Sequence, residues 1–283
     1  YAGAAAVSWA RRLQVPLVIT EHSTGFARGV FQSWQLQLAR KAAQAANARI
    51  SVSPDLAHVL KQELGHDLDF WRWIPNVVSP RFGQVAFEKV SEPVSRNTRI
   101  LNLALMTRKK GQLDLLRAFA WAFPAHLPVE LWLAGDGPIR SQLKAEAKTL
   151  GISDRVHFLG RIPPQEVPDL LAKVDVMAVS SHYETFGVVA AEALMAGVPV
   201  VATRCGGPEF IVQEGDGLLV QPGEPQALGQ ALREAVDRLE QWDKDAIAAR
   251  ARTRFSGAAV SAQLTALYEE VLGLGGSDGR RAS

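Results

Sequence analysis

The stretch Ser180–Phe210, SSHYETFGVVAAEALMAGVPVVATRCGGPEF, decides how the chain folds. It begins where an apolar run, VDVMAVS (174–180), ends. It then crosses a polar loop, enters a helix of small residues and closes on a second apolar run, VPVVAT (198–203), followed by Gly206 and Gly207. Strand, loop, helix and strand in this order form a βαβ unit. Two strands joined this way lie parallel, and the helix covers one face of the sheet.

Outward from that unit the same alternation continues. RILNLALMT (99–107), VELWLAG (129–135), RVHFLG (155–160) and GLLV (217–220) read as strands, with helical stretches such as Gln112–Ala122 in the intervals. Glu224–Arg254 reads as helical and Gly257–Leu272 as a last amphipathic helix. Upstream, VPLVIT (15–20) and ARISVS (48–53) read as buried strands, and DFWRWIPNVV (69–78) as a final strand and exit loop. Pro54 opens a helix at its first turn, where its missing N–H costs nothing.

The predicted fold class is therefore α/β, with two doubly wound Rossmann-like domains. Residues 1–92 form the first, 93–98 a linker and 99–256 the second. A C-terminal helix over 257–273 packs back on the first domain, and 274–283 is a disordered tail. The second domain has about six strands and the first about three, so the reading expects half of the first domain to lie upstream of Tyr1.

Bulk composition excludes several classes. The chain has 283 residues, of which 47% are apolar and 21% charged, enough for two packed domains. A net charge of +2 gives no general pull toward nucleic acid. Cys205 is the single cysteine, so neither a disulfide nor a cysteine-based zinc site is expected, and a cytoplasmic setting fits. The longest apolar run, Val188–Thr203, is broken by Glu192, Gly197 and Pro199 and spans no membrane. The basic residues Arg40, Lys41 and Arg49, with Trp34, admit two readings: a solvated helix face, or contact with an anionic membrane surface at its inner face.

The loop after VDVMAVS lies at the carboxyl end of a parallel strand, where open α/β sheets bind ligands. Gly187 stands at the helix start, where backbone N–H groups and the helix dipole favour a phosphate. Glu184 lies in the loop and Glu192 in the helix. A carboxylate accepts hydrogen bonds from paired hydroxyls and donates none. Such a layout can grip a sugar nucleotide, although two glutamates at this spacing also occur on ordinary solvated faces.

YETFGVVAAEALMAGVPVVATRCGGPEFIV, taken with LALMTRKKGQLDLLRAFA, LAGDGPIRSQL, RVHFLGRIPPQEVPDLLAKVDVMAVSS, DGLLVQPGEPQAL, TEHSTGF and IPNVVSPRF, resembles the retaining GT-B glycosyltransferases of family four, the glycogen-synthase-like group. The resemblance covers nearly the whole chain. It implies transfer of a hexosyl group from a nucleotide-diphosphate sugar to an acceptor hydroxyl of a glycan, glycolipid or small molecule. It also implies that Glu184 contacts the donor sugar, Glu192 the ribose, and Phe186 and Gly187 the sugar or diphosphate through backbone N–H groups. Lys110 is implied at the diphosphate, and His22 opposite the donor sugar; Glu184, His22 and Lys110 make up the expected catalytic set. Gly135, in a turn that is mainly structural, could admit a phosphate, and Gly160 and Arg161 are expected near the base.

Two departures stand out. The family's arginine several residues before Lys110 is missing, leaving Arg108 as the nearest second cation, and Val77 replaces the glycine that commonly follows Asn76. No cofactor beyond the donor is expected. Asp67 and Asp69 have Asp-x-Asp spacing but fall outside any expected cleft, so the reading is metal-independent. The alternative is a nucleotide-sugar-binding module without transfer activity.

Overall fold

The computed structural model describes residues 2–85 and 96–274. Residues 93–95 of the expected linker and 275–283 of the expected tail lie outside them. The chain divides into two compact units. One holds the chain through Val77 together with Gly257 onward; the other is Val78–Ser256.

The first unit carries a parallel three-stranded sheet, β1 (Val18–Glu21), β2 (Ala48–Ser51) and β3 (Arg72–Trp73), in the order β1-β2-β3. Helices Ala2–Leu13, Ser33–Ala45 and Pro54–Leu64 alternate with the strands. Ser53 caps the third of these, its hydroxyl accepting from Leu56 N–H at 3.1 Å, with Pro54 at the first turn. Helix Gly257–Val271 belongs to the same unit, where Val260 and Leu267 pack with Ile50 and Ile74. The final strand expected within 69–78, ahead of an exit loop, is Arg72–Trp73. Ile74 N–H makes its last backbone bond, to Ser51 O at 3.1 Å, and Pro75 has no N–H with which to continue.

The second unit is a six-stranded parallel sheet built from β4 (Thr98–Leu103), β5 (Val129–Ala134), β6 (Val156–Gly160), β7 (Val176–Val179), β8 (Val200–Thr203) and β9 (Gly217–Val220). Its order is β6-β5-β4-β7-β8-β9. The chain winds outward from β4 in one direction, then returns to place β7 beside β4 and winds outward in the other. All residues of β7 and β8 are buried, as expected of central parallel strands covered on both faces. Helix Val188–Met195 has five buried residues, and Glu192 is its only charge. No helix among the described residues is long and apolar enough to cross a membrane.

Two boundaries differ from the sequence reading. The break between units falls at Val77/Val78, not at 92/93. Residues 78–84 join the second unit because Val78 N–H donates to Phe255 O at 2.9 Å, Phe82 is buried, and Arg252 donates to Gly83 O at 2.7 Å. Thr98, expected in the linker, begins β4. The helical stretch expected over 224–254 consists of two helices, Pro225–Asp237 and Lys244–Phe255. Trp242 is buried between them with its indole N–H on Ala235 O at 3.0 Å, and Asp243 caps the second by accepting from Ala246 N–H at 2.9 Å.

Arg250, on the second of these helices, donates to the buried Asp216 carboxylate at 2.7 Å, just before β9. Removing one partner of a buried pair leaves the other uncompensated, although Arg250 is 38% exposed and recovers part of its hydration. Asp216→Ala is expected to lower unfolding free energy by about 2 kcal/mol, read by chemical denaturation. A loss no larger than that of an ordinary surface substitution would contradict this.

Candidate functional site

The site forms where β4 and β7 lie side by side. There the winding direction reverses, so the loops leaving the two strands diverge and open a crevice at their carboxyl ends. The β4 loop ends in a 3-10 turn, Arg108–Lys110, closed by Gly111. The β7 loop carries Glu184. Gly111 has φ +64°, and a Cβ there would lie 1.9 Å from the Ser180 carbonyl oxygen. Only glycine permits both the left-handed turn and that approach.

Polar contacts then stitch the loops together. Ser180 Oγ donates to Lys110 O at 2.9 Å, and His182 N–H donates to Lys109 O at 2.8 Å. This brings the Lys110 ammonium onto Glu184 Oε1, and the two form an ion pair of low exposure, with side chains 17% and 11% exposed. Ser181 Oγ donates to the same oxygen at 2.7 Å. Glu184 is fixed from the other side by backbone, through Glu184 N–H to Cys205 O and Gly207 N–H to Glu184 O, both 2.8 Å. Close by in sequence, Thr107 Oγ1 and Gln112 Oε1 are buried and take no hydrogen bond among the described residues. Buried polar atoms are normally satisfied, so the β4 loop retains unmet bonding capacity next to its lysine.

Glu192 sits half-buried in the Val188–Met195 helix with no ion pair or side-chain hydrogen bond among the described residues. Burial pushes its carboxyl up to about 7. Gly187 caps this helix at φ +86°. Phe186 is a core side chain, 3% exposed, edge-on to Phe255 with ring centroids 5.9 Å apart, so any ligand contact from it falls to its backbone. Cys205 is no nucleophile, since burial pushes its thiol up to about 12.

The other expected residues are placed differently. Arg108 and Arg161 are exposed and have no side-chain partner among the described residues. Gly135 has φ +130°, and a Cβ there would meet Ala104 O at 2.0 Å, so backbone packing alone accounts for this glycine. Gly160 faces open space and gives its carbonyl to Gly135 N–H. His22 lies in the first unit, exposed at the end of β1, where Glu21 accepts from the N–H groups of His22 and Ser23 at 2.9 and 2.7 Å. Glu184 and Lys110 are brought together directly. Sequence reasoning missed the contributions of Ser180, Ser181 and Thr203; a serine after a strand reads as an ordinary turn residue. No cluster of three or more metal-ligating side chains occurs among the described residues.

Comparison with known proteins gives this crevice its context. Residues 86–252 match the family described as glycosyl transferases group 1, and residues 1–82 match the one described as Glycosyltransferase Family 4. A D-inositol 3-phosphate glycosyltransferase of Corynebacterium glutamicum (strain R) is 30% identical over 300 residues, covering 96% of this chain and 71% of that protein. One of the same description from Corynebacterium urealyticum is 37% identical over 179 residues, covering 59% of this chain but only 41% of that protein. Among solved structures, Anabaena Alr3699/HepE in complex with UDP superposes with a TM-score of 0.80 at 26% identity, covering 95% of this chain and 76% of that one. With more than half of the chain matched and a parallel α/β architecture shared with HepE, the chain belongs to the glycosyl transferases group 1 family and is a glycosyltransferase of GT-B fold.

Proposed function

We propose that this chain moves a hexosyl group from a nucleotide-diphosphate sugar to an acceptor hydroxyl with retention at the anomeric carbon, as in family four. The observation that carries the reading is the Lys110–Glu184 pair at the switch point of the sheet. HepE was solved with UDP and with UDP-glucose, which favours a uridine-diphosphate sugar as the donor to try first. The acceptor is assigned only as a hydroxyl on a sugar, a lipid-linked sugar or a small molecule.

In this reading Glu184 accepts from hexose hydroxyls, and Glu192 accepts from the ribose. Lys110 keeps one N–H on Glu184 and offers the others to the diphosphate, where negative charge grows as the leaving group departs. The bond from the anomeric carbon to the diphosphate oxygen breaks, and the bond to the acceptor oxygen forms on the same face. The acceptor proton passes to the departing phosphate oxygen. Gly187 and the Phe186 backbone lie at the helix start beside the diphosphate; Arg108 and Arg161 are the exposed cations for its outer oxygens and the base. His22 is assigned to the donor sugar on its likeness to the family-four motif alone. The reaction needs no divalent metal.

Three outcomes test this. Glu184→Gln is expected to cut turnover of UDP-glucose at least tenfold while UDP affinity by calorimetry changes little, because the lost charge acts at the sugar. Nucleotide binding without any transfer by the parent chain would instead identify a binding module. Transfer is expected to persist in EDTA, and its abolition there would contradict metal independence.

Glu192 makes the third, through pH. Its proton must leave before it can accept both hydroxyl bonds, so UDP affinity is expected to rise about tenfold from pH 6 to pH 8 around a carboxyl at about 7. The stability of the ligand-free protein is expected to follow the opposite trend. Its folded state holds the proton up to about pH 7, whereas the unfolded chain releases it near 4.5, so the Glu192 contribution to stability falls as pH rises through that window. Glu192→Gln should make UDP affinity rise less with pH than it does in the parent, and equal slopes in parent and variant would remove Glu192 from the ribose.

A further inference from the structure

The geometry points to Ser181 as the positioning residue that fixes the plane in which the Glu184 carboxylate faces the donor, an inference that rests on the reaction proposed above. Ser181 is 3% exposed and has no surface of its own to offer a ligand. Its hydroxyl donates to Glu184 Oε1 at 2.7 Å, the oxygen already held by Lys110. Its carbonyl is held in turn by the hydroxyl of the buried Thr203, at the end of β8, which also reaches Val179 O at 3.3 Å. The serine is thus braced from the neighbouring strand and passes that restraint to the carboxylate.

Two donors converge on Oε1, while Oε2 takes no hydrogen bond from the described residues. The terminal torsion of a glutamate is broad, so its carboxylate plane turns over a wide range when nothing holds it. Lys110 alone does not hold that plane, because an ammonium is a point charge on a flexible stem that follows the carboxylate as it turns. The serine oxygen is different: it sits three residues away on a buried, braced backbone and ties the carboxylate to a fixed point. With it in place, one carboxylate oxygen stays on the protein and the other faces the sugar hydroxyl. Without it, the Lys110–Glu184 pair survives but its orientation is lost. The cost falls on the chemical step, where alignment matters, and not on nucleotide binding, which other residues supply.

Ser181→Ala tests this, compared with the parent in ligand-free crystal structures and in kinetics with UDP-glucose. The expected result is a Glu184 carboxylate that rotates or spreads over two rotamers, with kcat lower by about tenfold and the Kd for UDP within twofold of the parent. In a Glu184→Ala background the same substitution should add no further loss, since it acts only through that carboxylate. An unmoved carboxylate with unchanged kcat would overturn the inference. So would an equal loss of UDP affinity, or the same fold-loss in the Glu184→Ala background. A parent that transfers from no UDP-sugar would overturn the proposed reaction instead, and the structural comparison would still decide for Ser181.

Discussion

Everything in the second unit that resembles a site hangs on one close approach of backbone to backbone, that of Gly111 to the carbonyl of Ser180. The loops leaving β4 and β7 would otherwise part at the point where the sheet reverses its winding. Pressed together, they share the hydrogen bonds Ser180 to Lys110 O and His182 N–H to Lys109 O, and Lys110 then has Glu184 as its nearest counter-charge. Desolvating an ammonium and a carboxylate is expensive. The Ser181 hydroxyl adds a second donor to the paired oxygen and main-chain bonds fix the Glu184 backbone, while the other carboxylate oxygen stays open. The pair's merit is orientation more than stability.

A second tension sits one helix away. Helix Val188–Met195 is apolar nearly all round, as a buried helix should be, yet it includes Glu192 with no side-chain partner among the described residues. Buried acids of this kind cluster at functional sites. The helix that covers the central strands thus fills the core and also carries an acid whose carboxyl burial pushes up to about 7.

Much of this was legible in the sequence, and the exceptions have specific causes. The apolar runs of β4 to β9 were all legible as strands, and those of β7 and β8 are unbroken because central parallel strands are buried on both faces. The strand and exit loop expected over 69–78 are there, but the shortness of the strand was hidden, because Pro75 ends the ladder only once a partner strand is known. The break within the helical stretch 224–254 was hidden too, because Trp242 takes a place in the core, a tertiary demand that local propensity does not contain. Within the site, Glu184 and Lys110 stood out through the resemblance of their motifs. The part played by Ser181 did not, since it depends on where the Glu184 carboxylate lies in the folded loop. Gly135 carries the reverse lesson: a glycine that suggested a phosphate is fully explained by the carbonyl of Ala104.

Lys110 and Glu184 are separated by 74 residues, and β7 must find its place beside β4 before they can meet. A nascent chain that has emerged from the ribosome only as far as β6 therefore owns a lysine loop but no crevice. Whatever the crevice holds can associate only with chains that have completed the central crossover, so its concentration in the cell pulls the equilibrium toward that finished arrangement by mass action. The sheet's strand order thus makes occupancy a report on how far synthesis and folding have gone.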